Sequence, residues 1–333
     1  MMLHRPAFWA EKSIVSLLLW PVSLVFRSIA FLRRFAFKKG LLSSWRSPVP
    51  VVIIGNISVG GAGKTPLVIA LSELLTYAGY SIGIVTRGYG GKSGAPVVAT
   101  SSSDTSLVGD ESVLIARRTG LPVVVSKSRV AAVQHLISSH SIDCVLCDDG
   151  LQHYKLERDL EIAVVDADYR FGNGFCLPSG PLREPLARLN KVDFTVYSGS
   201  DRIEAGYSLV GDELVSIGDE AKRQSLEELS GSAVHAVAGI ASPEKFYKHL
   251  RRYGIEVIEH PFADHAIYDR TDLEFQDNVP VVMTEKDMVK CRDFKLDSAW
   301  YLPVTASLDD ELAQQISNCI EGIIAMRVNN ADR

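Results

Sequence analysis

Three glycines, a lysine and a threonine fall within six residues of the stretch SVGGAGKT, Ser58 to Thr65. That combination is suited to holding phosphate. Backbone N–H groups at Gly60, Gly61 and Gly63 are free of side chains that would keep phosphate oxygens away. Lys64 reaches the β and γ phosphates, Thr65 offers a hydroxyl to Mg²⁺, and a helix starting here adds its positive end. One letter departs from the usual G-x-x-x-x-G-K-[ST], because Ser58 stands where the first glycine is expected. A serine in a left-handed conformation costs about 1–2 kcal/mol, so the demand for positive φ is expected to move to Gly60 and Gly61. The candidate nucleotide contacts are therefore Ser58, Val59, Gly60, Gly61, Ala62, Gly63, Lys64 and Thr65, with ATP and Mg²⁺ as the implied ligands.

A magnesium site of this kind also needs a carboxylate at the end of a neighbouring strand. CVLCDDG supplies Asp148 and Asp149 at the C-terminal edge of an apolar run, the Walker B arrangement, with one of the pair expected to face the metal. Two functions use such a site: a kinase that passes the γ-phosphate to an acceptor, and a switch ATPase that positions proteins on membranes. The switches write K-G-G-x-G-K-[ST], and here Val59 holds the place of the first lysine. The kinase reading is the better fit.

The elements that must position these residues alternate between β-branched runs and amphipathic stretches, which predicts a parallel sheet covered by helices. PVVIIGN is a strand, and PLVIALSELLTYAG places Leu67, Ala70, Leu71, Leu74, Leu75 and Ala78 on one helical face. SIGIVTRG, LPVVVS, IDCVLCDD and EIAVVDAD add strands, with DESVLIARRTG and RVAAVQHLISSH as helices between them. Pro and Gly then cluster, and a second alternating unit follows, with a helix opened by Ser242 as cap and Pro243 in its first turn. The predicted fold class is α/β: a P-loop NTPase-like parallel sheet with flanking helices, a second, smaller α/β domain, and an N-terminal membrane-associated helix. The expected division is 1–40, 41–195 and 196–333, with the last helix able to pack back on the first domain.

Charge is distributed unevenly along the 333 residues. Residues 1–50 carry eight Lys/Arg against Glu11, so a chain of net charge −5 places +7 on its front and −12 on the remainder. Ser13 to Phe26, SIVSLLLWPVSLVF, contains no charge and is followed by Arg27, Arg33 and Arg34. A spanning helix needs about 20 apolar residues, so this stretch is short. A cleaved signal peptide and a buried core helix are its rivals, and a nucleotide loop downstream argues against export. The preferred reading is an uncleaved helix lying on or dipping into an anionic membrane surface, with no nucleic acid partner. Five scattered cysteines do not form a disulfide framework, and the C-x-x-C of Cys144 and Cys147 lies inside an apolar strand, as core thiols do. The oligomeric state is left open.

In order along the chain stand GNISVGGAGKTP, TRGYGG, VGDE, SRVAA, CDDGLQH, LPSGPLREP, GIASPEKF, FADH and TEKDMVK, after the basic apolar front. This series resembles the tetraacyldisaccharide 4'-kinase (lipid A 4'-kinase) family over about residues 10–325, and the absent first glycine is a habit of that family. The resemblance implies transfer of the ATP γ-phosphate, with Mg²⁺, to the 4'-hydroxyl of a tetraacylated glucosamine disaccharide 1-phosphate. It implies a lipid disaccharide substrate in the membrane and a place at the cytoplasmic face of the bacterial inner membrane. It names Asp110 as base and His265 as its orienting partner, where the residues alone suggest a helix cap and a surface histidine. It implies that Arg129 and Arg183 neutralise phosphate charge and that Gln152 and His153 line the nucleotide site. TEKD is expected at a ligand-binding strand edge and TRGYGG near the acceptor sugar. Ser112 replaces a proline common in relatives after GDE, and Ala266 replaces a second histidine.

Overall fold

Valine and isoleucine on both faces of a strand suit a sheet covered on both sides, and β1, Val51–Gly55, is buried at all five positions. The computed structural model describes residues 6–92, 94–199, 206–294, 296 and 298–331. The first sheet is built from β1, β2 (Ile82–Thr86), β3 (Val97–Ala99), β4 (Val123–Val125), β5 (Cys144–Asp148), β6 (Leu160–Asp166), β7 (Phe194–Ser198) and β8 (Gly206–Val210). The chain then makes a second sheet from β9 (Glu213–Ser216), β10 (Arg223–Ser225), β11 (Ala233–Ala238), β12 (Glu256–Pro261), β13 (Val281–Thr284) and β14 (Ala299–Leu302). It returns to the edge of the first sheet as β15, Thr305–Leu308, antiparallel to β8. The orders are β15-β8-β7-β6-β1-β5-β2-β4-β3 and β10-β9-β14-β13-β11-β12.

This partition differs from a division at residue 195. That position lies inside β7, which pairs in parallel with β6, and β8 extends the same sheet. The change of sheet falls between Val210 and Glu213. Polar composition and glycines around residue 200 resemble a linker, but Tyr197 and Ser198 pair directly with Gly206 and Tyr207 in the same sheet.

Eight α-helices complete the described chain: α1 (Ile14–Lys38), α2 (Lys64–Tyr77), α3 (Thr105–Val108), α4 (Asp110–Thr119), α5 (Arg129–Ser139), α6 (Pro243–Arg252), α7 (Glu285–Cys291) and α8 (Asp310–Ala331). Alternation along β1 sends Val52 and Ile54 to one core and Val51 and Ile53 to the other. The first core also holds Leu67 and Leu71 of α2, Val113 and Ile115 of α4, and Ile316 and Ile320 of α8. It continues through Met288 of α7 to Met283 and Tyr301, so the two sheets share apolar packing. The second core packs Ala132, Val133 and Leu136 of α5. Cys144 and Cys147 go to opposite cores, which separates the thiols of the C-x-x-C. Ser242 holds the cap position of α6 without a capping side-chain bond, and Pro243 follows at the first turn.

α1 is longer than its uncharged stretch suggested. It runs 25 residues with a mean hydropathy of 1.9 in its most apolar window, long and apolar enough by length and composition to cross a membrane. Its two buried residues are both serines, and Phe26 packs from the helix against the second core. Ser23 donates to the carbonyl of Cys176 at 2.7 Å and Ser179 donates to the carbonyl of Ser16 at 2.5 Å. Ile14, Leu18, Val25, Ile29, Phe31 and Leu32 are all exposed. A helix that turns its small polar residues inward and most of its large apolar ones outward cannot be a soluble core helix.

Candidate functional site

β1 lies between β5 and β6, where the strand order reverses, and such a switch point opens a crevice at the carboxyl ends of the strands. The glycine loop follows β1 directly and leads into α2, whose first residue is Lys64. Gly63 caps that helix in the left-handed region at φ 77°, and Gly60 has φ 103°. Positive φ therefore sits at Gly60 and Gly63, and Gly61, expected to share it, does not adopt it. Ser58 needs none: it bridges to Leu182 as extended chain. Val59 is a correction as a phosphate donor, because its N–H is held by the carbonyl of Pro181 at 2.8 Å. The loop is clamped from β7 and β8. Ser198 donates to the carbonyl of Ala62 at 2.8 Å, and the Tyr207 hydroxyl donates to the carbonyl of Gly63.

Asp148 ends β5 opposite Ile54 of β1, so register alone brings the acidic pair to the mouth of the loop. Asp149 follows in a left-handed turn at φ 48°. Its carboxylate lies 3.5 Å from Lys64 and 3.1 Å from Arg183. Burial raises the Asp149 carboxyl, but the charges of Lys64 and Arg183 more than reverse this and hold it well below the usual carboxylate range. Asp148 behaves oppositely. It is 1% exposed, and burial, reinforced by the charge of Glu111, pushes it up to about 7. Its Oδ1 is buried with no hydrogen-bond partner among the described residues.

Arg183 and Gln152 fall at the site, but largely to organise it. Arg183 also donates to Gln152 Oε1 at 3.3 Å, and Gln152 Nε2 donates to the carbonyl of Asn56 at 3.1 Å and to Glu184 at 3.0 Å. Arg129 is a second correction. It is 2% exposed and donates to the carbonyls of Ser126 and Asp148 at 3.1 and 2.8 Å, so it braces the acidic turn from behind instead of meeting phosphate. His153 stands beside them with its pKa pushed down to about 4 by burial and the charge of Arg129, so its ring is neutral at pH 7.

Asp110 is the first residue of α4, and the cap itself is Gly109 at φ 84°. The carboxylate is 4% exposed, accepts from the Glu111 N–H at 2.8 Å, and meets His265 Nδ1 at 2.9 and 3.0 Å. Burial raises Asp110, yet the hydrogen bond from His265 and the charges of Lys286 and Lys290 leave it below the ordinary carboxylate value. An ionised carboxylate only accepts, so Nδ1 of His265 carries the proton between them. Tyr89 of the TRGYGG loop places its ring 4.7 Å from that of His265 and is 60% exposed, an open aromatic face beside the pair.

The TEKD box is a hub that holds this pair from the second sheet. Thr284 caps α7. Glu285 pairs with Arg118 of α4 at 2.9 Å. Lys286 reaches Glu111 at 3.2 Å and Asp264 at 3.0 Å. Asp287, fully buried, accepts from the Gly239 N–H and the Tyr268 hydroxyl, both at 2.9 Å. Glu111 thus connects both centres, paired with Lys286 on one side and felt by Asp148 on the other. Reasoning from sequence missed Glu111 and Lys290. A GDE with a downstream TEKDMVK gives the charges but not their pairing.

A model of the tetraacyldisaccharide-1-P 4'-kinase family matches residues 15–321. The chain belongs to the tetraacyldisaccharide 4'-kinase family. Relatives include the tetraacyldisaccharide 4'-kinases of Azoarcus sp. (strain BH72), 43% identical over 320 residues, 93% of this chain and 94% of that one, and of Methylobacillus flagellatus, 45% identical over 311 residues, 92% and 93%. Among solved structures, that of Aquifex aeolicus LpxK in complex with ATP superposes with a TM-score of 0.78 at 27% identity, covering 93% of this chain and all of that one.

Three substitutions test the geometry of this family member. A Cβ on Gly109 would lie 2.6 Å from the carbonyl oxygen of Tyr89 and 3.0 Å from Gly88 backbone. Gly109→Ala is expected to cost about 1–3 kcal/mol and to separate Asp110 from Tyr89, with activity falling more than stability. Gly120→Ala shares the positive φ but meets nothing within 4 Å, so thermal melts and turnover of the two variants separate strain from displacement. Lys286→Ala should raise the Asp110 pKa by removing one of the cations that lower it. The base form then disappears at higher pH, and the acidic limb of the kcat/KM profile moves to higher pH. An unmoved limb would mean that Lys286 acts only as a strut.

Proposed function

We propose that this chain is the ATP-dependent kinase that phosphorylates the 4'-hydroxyl of tetraacyldisaccharide 1-phosphate, giving the 1,4'-bisphosphate in lipid A biosynthesis. The observation that carries the reading is the buried Asp110–His265 pair, together with a glycine loop whose Lys64 faces Asp149 of the acidic turn at 3.5 Å. The loop amides and Lys64 hold the polyphosphate. Asp110 takes the proton of the sugar hydroxyl as the new O–P bond forms, and the bond from the γ-phosphorus to the β–γ bridging oxygen breaks, leaving ADP. His265 orients the carboxylate through its Nδ1–H, and the Tyr89 ring offers a stacking face for a sugar.

The residues present suit Mg²⁺. Thr65 and Asp148 would hold it from this chain, the latter through its buried orphan oxygen, while Asp149 holds Lys64 and Arg183 at the same mouth. Among the described residues no cluster of three or more His, Cys, Asp or Glu forms a metal cage. Mg²⁺ is commonly bound by one or two carboxylates together with substrate phosphates. When bound it neutralises charge on the phosphoryl oxygens.

α1 brings the enzyme to a bilayer surface, at the cytoplasmic face where ATP is available. Its exposed large side chains contribute about 1.5–3 kcal/mol each when buried in lipid. Removing residues 1–38 should release the protein from vesicles by at least tenfold while changing affinity for an ATP analogue much less. Equal partition before and after removal would contradict the anchor. The reaction itself is tested with γ-labelled ATP offered with the lipid disaccharide monophosphate or with free glucosamine. Label is expected on the lipid alone; label on neither, or on free sugar equally, would overturn the assignment.

A further inference from the structure

A cavity of 330 Å³ opens where the C-terminal end of α1 meets the segment after the acidic turn. Its cations are Arg34 and Lys38 from α1 and Arg158 and Arg188 from the body, set beside the rings of Phe37 and Tyr154. The acids at its wall, Glu157 and Glu161, together with Glu184 against Arg188, leave an excess of one positive charge. Glu161 is already shared, taking Arg188 Nη2 at 2.5 Å and Arg158 Nη1 at 3.3 Å, and Glu184 lies 3.4 Å from Arg188 Nε, which leaves Nη1 of Arg188 as its open donor. Arg188 is 1% exposed, and its Nη1 is buried without a hydrogen-bond partner, as is Nε of Arg158. Among the described residues neither Arg34 nor Lys38 has a carboxylate within ion-pair distance. Arg34 lies over the Tyr154 ring at 5.9 Å instead.

A buried guanidinium with an open N–H calls for an anionic acceptor, and fork-shaped donors match phosphate oxygens in particular. None of these four cations belongs to the phosphate-transfer site. We infer that this cavity binds the phosphate of a membrane phospholipid headgroup, with Arg188 as its buried donor and Arg34 and Lys38 as its rim. Two features favour a lipid over a free anion. Two of the cations stand on α1, the helix whose exposed side is apolar, so a headgroup here leaves its acyl chains alongside Phe31 and Phe35, which are 63% and 44% exposed. Phe37 and Tyr154 supply apolar wall for a glycerol backbone. The site also touches the reaction centre. Arg33 donates to the carbonyl of Gln152 at 3.2 Å, and the Tyr154 hydroxyl donates to Glu184, the acid that holds Gln152. Occupancy of the cavity therefore steadies the turn that carries Asp149.

The inference shares with the proposed function only the placement of α1 at a bilayer, and a water-soluble phospholipid tests it without one. Full-length protein is titrated calorimetrically with dihexanoylphosphatidylglycerol below its micelle concentration and, separately, with inorganic phosphate. Binding of the phospholipid is expected, weakened at least tenfold in the double variant Arg34→Gln/Lys38→Gln and unchanged in Arg27→Gln, a charge on α1 outside the cavity. Both rim residues lie on the surface end of α1, and circular dichroism checks that the fold is kept. Phospholipid binding without phosphate binding assigns the headgroup as the source. Equal binding of both upholds the phosphate site and makes the free anion sufficient. Absence of binding by either, or equal loss in the Arg27→Gln control, would overturn the site.

Discussion

Replacement of Asp110 by Asn is expected to lower turnover on the lipid acceptor by about 10²- to 10⁴-fold, the contribution of a positioned general base. The size follows from the setting of the carboxylate. It is 4% exposed, and among the described residues no other carboxylate takes the His265 Nδ1 hydrogen bond. Its depressed pKa keeps it ionised throughout the neutral range. The amide keeps the shape and an acceptor oxygen but cannot take a proton. ATP-analogue affinity should stay within a few-fold of wild type, because the contacts Asp110 makes are to Glu111, His265 and Lys290 and not to the glycine loop. Near-normal turnover of Asp110→Asn would assign the base elsewhere. His265→Asn should lose less, since it removes orientation and not the base itself.

Lys64→Ala carries the second large expectation, a loss of about 10²- to 10³-fold in kcat. Lys64 is the cation at the first position of α2, where its charge adds to the helix N-terminus. Its partner at rest, Asp149 at 3.5 Å, is held as well by Arg183 at 3.1 Å. Removing Lys64 therefore leaves that half-buried carboxylate with one cation, and the variant should unfold at a modestly lower temperature without losing its fold. Lys64→Arg should restore stability more fully than turnover, because a planar fork does not replace a compact ammonium inside a loop of glycine amides. If Lys64→Ala retained turnover within a few-fold, the loop would be a structural turn and the phosphate site would lie elsewhere.

Legibility from sequence followed distance along the chain. The phosphate loop could be read because strand, glycines, Lys64 and helix are contiguous, and each part rests on a local rule of backbone freedom or helix polarity. The acidic pair Asp148–Asp149 was equally legible at the end of an apolar strand, though not which of the two turns inward, and parallel pairing with β1 is a short-range consequence of the α/β pattern. The apolar character of α1 was likewise on the surface of the sequence.

The tertiary structure decided what depends on which distant segments meet. Asp110 and His265 are 155 residues apart, and taken singly their residue types suggest a cap and a surface histidine. Only the family resemblance suggested the pair in advance. Arg129 looked like a phosphate ligand until the fold buried its guanidinium against the carbonyls of Ser126 and Asp148. The domain change moved past Val210 because β8 and the returning β15 pair with one another across about 100 residues, a ladder that no local composition encodes. Short-range steric and helix rules are written residue by residue, whereas a long-range contact exists only once many weak burial terms have chosen one arrangement of the whole chain. That is why the sequence alone determined the glycine loop ahead of Lys64, and why only the folded chain brought the carboxylate of Asp110 against His265.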